Sequence, residues 1–320
     1  CDNVLVFTNA SNIHSVAQTR EKFKFLGYSD LLNLKGEDFE AIRLYLKTNA
    51  KPHFKKLSPL PHQSEAIDAV VEYLKTNDRG QLILPCGAGK TLTALWINEK
   101  IQSKNSLVLF PSLALLRQFK AEWSRNRRVD FDYLCVCSEK DIDVSKEDTT
   151  VTHTYEITGE VTTIPSRVSD FIKSDNHKIV FSTYQSLPVI ETALKNNTHF
   201  KFDLIVCDEA HRTAGGKTNN LFTLIHNNER IPGIKRLYMT ATPKVVSNKL
   251  KSRLGDDYEL LCDMSNPEVF GGEAYRMTFG TAIDKEILVD YKIIGIGVTN
   301  KQVKEFIDSR RYVNTKFSID

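Results

Sequence analysis

The stretch Leu82-Ile83-Leu84-Pro85-Cys86-Gly87-Ala88-Gly89-Lys90-Thr91 decides the fold that the sequence predicts. Three apolar residues lead into a turn with two glycines, and Lys-Thr then opens a segment with helical apolar spacing. This order predicts a strand, a phosphate-binding loop and a helix. Glycines let the backbone approach an anion closely, and the N–H groups and dipole at a helix N-terminus favour negative charge.

The loop itself predicts the chemistry of a nucleotide site. Within Gly87-Ala88-Gly89-Lys90-Thr91, Lys90 would reach the outer phosphates and the Thr91 hydroxyl would bind Mg²⁺. The full Walker A pattern, G-x-x-x-x-G-K-[ST], has glycine where this chain has Leu84, so only the short G-x-G-K-T form is present. Taken alone, the stretch also fits an ordinary glycine turn before a helix.

Composition indicates a globular protein with room for two domains. The chain has 320 residues, 41% hydrophobic residues, 26% charged residues and a net charge of +3, which does not by itself indicate nucleic acid. We find no membrane span and no secretory signal, and six cysteines without disulfide or zinc spacing favour a cytoplasmic location. Because the chain begins at Cys1, we expect it to be a piece of a longer protein.

Apolar runs alternate with helical segments along the chain, which predicts a parallel α/β sheet. The runs are Leu107–Phe110, Tyr133–Cys137, Ile179–Ser182, Leu204–Cys207 and Arg236–Met239. Polar clusters follow several of them, and ligands bind outside the carboxyl ends of parallel strands. We therefore expect these clusters to meet at one edge of the sheet.

The remaining segments predict the domain organisation. Near the N-terminus, Val4–Phe7 predicts a strand, residues 39–46 predict a helix with a packed apolar face, and residues 47–61 predict a linker. Residues 138–165 are polar and predict an excursion outside the sheet. From Asn266 the composition changes, and Lys292–Ile296 predicts the first strand of a second domain.

The cluster Asp208-Glu209-Ala210-His211 suits ATP hydrolysis, which needs phosphate positioning, a metal and a group that orients water. Asp208 would bind Mg²⁺ opposite Thr91, and Glu209 would polarise the attacking water. Acidic residues placed at a helix N-terminus are the alternative for this cluster alone.

Two further positions suit a nucleotide site. His211 could form a network with Thr240 and Thr242 that senses the γ-phosphate, although a solvated histidine near a capped turn fits equally well. The Gln63 carboxamide could both donate to and accept from an adenine edge, or simply face water at a helix N-terminus.

Six segments follow the order of the Q-motif and motifs I, Ia, Ic, II and III of superfamily 2 helicases. They are Gln63, Gly87-Ala88-Gly89-Lys90-Thr91, Pro111-Ser112-Leu113, Ser182-Thr183-Tyr184, Asp208-Glu209-Ala210-His211 and Thr240-Ala241-Thr242. The chain therefore resembles this superfamily. Within it, Phe110–Gln118 and the stretch from Phe279 to Lys292 are similar to the motors of restriction-modification enzymes, most of all Type ISP and then Type I and III.

This resemblance implies an α/β fold, with a RecA-like parallel sheet flanked by helices. Residues 1–50 resemble the end of an Mrr-like nuclease domain plus linker. Residues 51–265 would form the first RecA-like domain, and residues 266–320 would cross over and begin the second.

The resemblance also assigns roles to residues, with ATP and Mg²⁺ as cofactors. Gln63 would recognise adenine, Gly87, Ala88, Gly89, Lys90 and Thr91 would hold the phosphates, Asp208 and Thr91 would bind Mg²⁺, and Glu209 would be the catalytic base assisted by Lys90. His211, Thr240 and Thr242 would couple hydrolysis to movement. Positions expected to touch the nucleic-acid backbone are Ser112, Arg117, Gln118, Thr183 and Tyr184.

The implied function is an ATP-dependent double-stranded DNA translocase, the motor of a restriction-modification enzyme. Its partners would be duplex DNA, contacted through the backbone, and the nuclease, second motor, methyltransferase and target-recognition domains of the parent enzyme, with no membrane. Motifs V and VI and their arginine finger are absent from this sequence, which implies nucleotide binding with slow turnover. A strand-separating DEAH-type helicase and a nucleotide-gated clamp without useful turnover remain as alternatives.

Overall fold

The structure is a computed structural model that describes residues 4–8, 23–27, 35–49, 56–138, 157, 161–216, 221–245 and 261–290. Two predictions fall outside these residues: the strand at Lys292–Ile296, and most of the polar segment after residue 138. No helix in the described part of the chain is long and apolar enough to cross a membrane.

Eight parallel strands form the main sheet, in the order β12-β3-β10-β8-β4-β7-β5-β6. Their bounds are β3 Arg79–Ile83, β4 Asn105–Phe110, β5 Asp132–Val136, β6 Val161–Thr162, β7 Lys178–Thr183, β8 Phe202–Cys207, β10 Gly233–Thr240 and β12 Gly272–Arg276. Two further pairs of strands form small sheets that are not hydrogen-bonded to the main sheet. A parallel pair joins β1 Val4–Thr8 to β2 Phe23–Gly27, and an antiparallel pair joins β9 Gly215–Gly216 to β11 Leu261–Cys262.

Helices connect and cover these strands. They are α1 Gly36–Thr48, α2 Pro61–Thr76, α3 Lys90–Ile101, α4 Leu113–Asn126, α5 Pro165–Ile172, α6 Leu187–Lys195, α7 Pro267–Phe270 and α8 Phe279–Asp284. Short 3₁₀ turns occupy Tyr184–Ser186, Ala210–Thr213 and Leu221–His226. The α/β fold, a parallel sheet flanked by helices as predicted from the sequence, is confirmed.

The apolar strands are buried on both faces, as their continuous apolar runs predict. Alternate residues of β4 enter different apolar clusters: Val108 and Phe110 join the cluster that holds Trp123 of α4, whereas Leu107 and Leu109 join the cluster that holds Ile190 of α6. Because successive side chains of a strand point to opposite faces, the two clusters lie on the two sides of the sheet.

Two predictions about the edges of the sheet need correction. Residues 138–165 were expected outside the sheet, but within the described part of that segment β6 pairs with β5 as the outermost strand. The segment after Asn266 was expected to leave the domain, but β12 pairs in parallel with β3.

Helix α1 forms as predicted, and its apolar residues, among them Leu44 (54% exposed) and Leu46 (78% exposed), are not covered by the described part of the chain.

Gly271 fixes the approach of β12 to β3. Its φ is +71°, and a Cβ atom built there would lie 2.1 Å from the carbonyl oxygen of Arg79. We expect Gly271→Ala to destabilise the fold by about 2–5 kcal/mol, because it combines backbone strain with a clash against a strand that cannot yield. Urea denaturation measures this. Gly280→Ala is the matched control, since the nearest atom to its added Cβ would be 4.0 Å away; equal losses in both variants would contradict the expectation.

Candidate nucleotide-binding site

Three neighbouring strands end at the candidate site. In the order β3-β10-β8, the phosphate-binding loop follows β3, Thr240 ends β10, and Asp208 follows β8. The register aligns Thr240 with Ile83 and Tyr238 with Cys207. The predicted meeting of these polar clusters at one edge of the sheet is therefore confirmed.

The phosphate-binding loop takes a conformation that its glycines permit. Gly87 and Gly89 have φ values of +87° and +80°, and Gly89 is the residue from which α3 begins. The Lys90 ammonium donates to the carbonyl of Leu84 at 3.3 Å, so the side chain folds back along the phosphate-binding loop. The helix N-terminus and this cation together form a cradle for an anion.

Two side chains at the start of α2 contact this loop. Gln63 Nε2 donates to the Gly89 carbonyl at 3.3 Å, while Gln63 Oε1 accepts from the Leu60 amide at 2.9 Å. His62 Nε2 lies 3.2 Å from the Ala88 carbonyl oxygen. The predicted adenine contact of Gln63 remains a prediction, since both ends of its amide here bond to protein.

Sequence analysis missed two supports of the loop, His62 and Trp123. The indole of Trp123 is fully buried and donates to the Thr91 carbonyl at 2.8 Å, anchoring the first turn of α3. A signal for it exists in the sequence: Trp123 lies on the apolar stripe of α4 with Leu116 and Phe119, and a buried indole N–H requires an acceptor.

Asp208 is the most unusual titratable group at the site. It is 5% exposed, and its Oδ1 is buried without a hydrogen-bond partner in the described part of the chain. Burial and the neighbouring Glu209 carboxylate raise the pKa of Asp208 to about 7. The positive charge of Lys90 opposes this rise without cancelling it. A buried carboxylate oxygen that lacks a donor fits a hard divalent cation, so Asp208 and Thr91 suit Mg²⁺.

Glu209, in contrast, is held as a carboxylate. Its hydrogen bond with His211 keeps the pKa of Glu209 below the ordinary value, and the Lys90 charge acts in the same direction. His211 Nδ1 lies 3.3 Å from Glu209 Oε2 and 2.9 Å from Thr240 Oγ1. Thr240 Oγ1 also accepts from the Thr242 amide at 3.1 Å. The predicted grouping of His211 with the two threonines is present, and its coupling role remains a prediction.

The five positions expected to touch nucleic acid separate into two groups. Thr183 and Tyr184 have no exposed surface, and Ser112 is 5% exposed as the N-cap of α4, where its side chain accepts from the Leu115 amide. For these three residues the expected contact of the side chain with nucleic acid needs correction, because the side chains are buried. Arg117 is half-buried and Gln118 is exposed, so these two remain candidates.

Comparison with known proteins identifies the family. Residues 56–245, more than half of the chain, match the family of the Type III restriction enzyme res subunit. The chain belongs to this family. This res-type chain is also 29% identical over 232 residues to a probable helicase of African swine fever virus, a match that covers 72% of the chain and 23% of the viral protein.

Two solved structures resemble the res-type chain. The ATP-dependent Type ISP restriction-modification enzyme LlaBIII bound to DNA is 28% identical, with a TM-score of 0.67 over 90% of this chain and 20% of that enzyme. A nuclease-deletion mutant of the Type ISP enzyme LlaGI in complex with a DNA substrate mimic is 31% identical, with a TM-score of 0.54 over 73% and 21%. The chain is thus a superfamily 2 helicase-like motor of the restriction-enzyme type, and it spans about a fifth to a quarter of the length of these relatives.

Proposed function

We propose that this motor hydrolyses ATP to move along double-stranded DNA within a restriction-modification enzyme. The observation that carries the proposal is the pairing of two carboxylates at the end of β8. Asp208 is buried with an oxygen that lacks a donor, whereas Glu209 is kept ionised by His211. Two adjacent carboxylates with opposite pKa displacements beside a phosphate cradle suit a metal ligand and a base.

The residues of the site then divide the work. Residues 87–91 would bind the phosphates and Lys90 would neutralise part of their charge, while Asp208 and the Thr91 hydroxyl would hold Mg²⁺, which would offset more of it. Glu209 accepts a proton from the attacking water. His211 transmits the state of this pair to Thr240 at the end of β10. The Thr240 hydroxyl accepts from the amide of Thr242, which follows the strand.

The proposed path of DNA lies along α4. Ser112 caps this helix, and Arg117 and Gln118 follow on its second turn. A motor that steps along any sequence must contact the phosphate backbone rather than the bases, and such contacts are sensitive to salt. The two Type ISP structures hold DNA or a DNA substrate mimic, which supports DNA as the track for the related chain described here.

We also propose the organisation of the longer protein. Residues 1–50 would close an Mrr-like nuclease domain, and the first RecA-like domain would extend from residue 51 through β12. The crossover would then lead through α8 into a second RecA-like domain, which supplies the arginine finger. Methyltransferase and target-recognition domains would complete the enzyme.

The test is ATP hydrolysis by the full-length protein with no nucleic acid, duplex DNA, single-stranded DNA or RNA. We expect strong stimulation by duplex DNA. Stimulation only by single strands or by RNA would favour a strand-separating helicase instead. Turnover at background with every nucleic acid would leave a nucleotide-gated clamp.

Arg117 provides a test of the DNA path. We expect Arg117→Ala to weaken duplex binding irrespective of sequence and to lower the slope of log affinity against log salt by about one. Arg128→Ala is the matched control, because Arg128 is exposed beyond the far end of α4. Binding measured by fluorescence anisotropy at several salt concentrations decides the matter, and an equal effect of both variants would place the DNA elsewhere.

A further inference from the structure

Tyr184 is buried next to the turn that carries Asp208 and Glu209. It has no exposed surface, and its hydroxyl donates to the backbone carbonyl of Asp208 at 2.8 Å. Its ring stacks on Phe222, with 5.0 Å between ring centroids and 24° between ring planes. Packing therefore fixes the ring, and the hydroxyl donates to the Asp208 carbonyl while it also shares a hydrogen bond with the Cys207 thiol.

That carbonyl belongs to the peptide group that joins Asp208 to Glu209. The orientation of this peptide plane is set by ψ of Asp208 and φ of Glu209, so it governs the direction of both carboxylates. Glu209 has φ +46° and ψ +47°, the left-handed region that residues other than glycine rarely adopt, at a cost of about 1–2 kcal/mol. Such a conformation persists only where neighbouring contacts hold it.

The contacts around this peptide plane come from several elements. The Asp208 amide donates to the Leu109 carbonyl at 3.0 Å, and this bond joins the end of β8 to the neighbouring strand β4. The Glu209 carbonyl accepts from the Arg212 amide at 3.0 Å, within the 3₁₀ turn. Between these two backbone bonds, the Asp208 carbonyl is held by the Tyr184 side chain.

We propose that Tyr184 is a positioning residue that holds the Asp208–Glu209 peptide plane in the orientation needed to bind Mg²⁺ with nucleotide. This inference rests on the proposed function and replaces the surface role that the sequence suggested for Tyr184. The residue acts through Asp208 and Glu209 and touches no substrate. Its hydroxyl is needed for this role, whereas its ring serves the packing of the domain.

Tyr184→Phe separates the two contributions, since it keeps the stacked ring and removes the hydroxyl. We expect the Mg²⁺ concentration that half-saturates the binding of a fluorescent ATP analogue to rise about tenfold, which is the size of effect typical of groups that orient a metal ligand. Nucleotide affinity without Mg²⁺ should stay close to that of the wild type. The melting temperature should fall by only a few degrees, because the buried Asp208 carbonyl loses one donor. The rate constant kcat for hydrolysis should fall by a similar factor, about tenfold.

Tyr73→Phe is the matched control, because it removes a tyrosine hydroxyl that accepts from the Gly272 amide at 2.9 Å, beside β12. It should leave the Mg²⁺ dependence unchanged. A Tyr184→Phe protein with wild-type Mg²⁺ dependence would overturn the inference, and so would an equal loss of nucleotide affinity with and without Mg²⁺. A wild-type protein that binds no nucleotide at all would overturn the proposed function as well.

Discussion

Glu209→Gln is expected to lower ATP hydrolysis by about 10²–10⁴-fold while ATP binding persists. The hydrogen bond from His211 keeps the pKa of Glu209 below its ordinary value, so the carboxylate is ionised at neutral pH and can accept a proton. An amide of the same shape cannot. The phosphate contacts of residues 87–91 do not involve this side chain, which is why affinity for the nucleotide should survive.

The measurement is steady-state hydrolysis by the full-length protein with duplex DNA, paired with binding of a fluorescent ATP analogue. Glu268→Gln is the control, since Glu268 is an exposed residue of α7. Hydrolysis by Glu209→Gln within a few-fold of the wild type would show that Glu209 is not the base.

Asp208→Asn is expected to stabilise the nucleotide-free protein above pH 7 while abolishing Mg²⁺-dependent hydrolysis. Asp208 is buried, its Oδ1 lacks a partner in the described part of the chain, and its pKa is raised to about 7 from an ordinary 3.8. Each pKa unit corresponds to about 1.4 kcal/mol, so a displacement of about three units corresponds to roughly 4 kcal/mol. We expect a gain on the order of 2–4 kcal/mol at pH 8, because a buried asparagine amide also loses hydration.

The direction of the pH dependence follows from that raised pKa. Below pH 3.8 the proton is bound in both the folded and the unfolded chain, and this group costs nothing. Above pH 3.8 the unfolded chain releases this proton while the folded protein keeps it, so stability falls as the pH rises from 3.8 to about 7. Above about 7 both states are ionised and the loss is complete. Asparagine does not titrate, so the difference between variant and wild type should be larger at pH 8 than at pH 5.

Urea denaturation at the two pH values, without nucleotide or Mg²⁺, measures this difference. Burial lowers the pKa of His226 to about 3, and the resulting loss of stability as the pH falls from 6.5 is common to both proteins and cancels. Asp170→Asn, at an exposed site on α5, should be neutral at both pH values. A variant at Asp208 that is less stable than the wild type at pH 8 would contradict the account of this carboxylate.

The sequence could predict the nucleotide site because its signals are local. An apolar run predicts a buried strand, and the polar residues that follow it, Gly87–Thr91 or Asp208-Glu209, mark its carboxyl end. Parallel strands bring such ends together at one edge of the sheet. The Asp208 and Glu209 side chains also differ in environment in a way that no sequence pattern shows. Their opposite pKa displacements depend on burial and on the position of His211.

Tyr184 shows why the nucleic-acid surface was harder to predict. A residue just after a strand can face either the ligand edge or the layer beneath it, and composition does not decide between them. Tyr184 enters the apolar cluster against Phe222, and its hydroxyl finds a backbone acceptor rather than solvent. Arg117 and Gln118, which the family resemblance suggested, lie at partly or fully exposed positions of α4, and their contact with DNA stays a prediction.

The edge strand β12 was missed for a related reason. The segment after Asn266 was expected to cross over to a second domain, but Gly271 packs against the backbone of Arg79 at a distance that no side chain allows. The Gly272 amide then bonds to the Tyr73 hydroxyl from α2. Glycine pairs mark close approach as well as flexibility, and only the tertiary structure distinguishes the two.

Displacement of a third strand from a DNA triplex by the full-length protein tests movement along duplex DNA most directly. With ATP, the wild type should release the third strand from a site distant from its point of loading, leave the underlying duplex paired, and lose this activity in Glu209→Gln. Separated duplex strands, or no release despite ATP hydrolysis, would contradict a double-stranded DNA translocase.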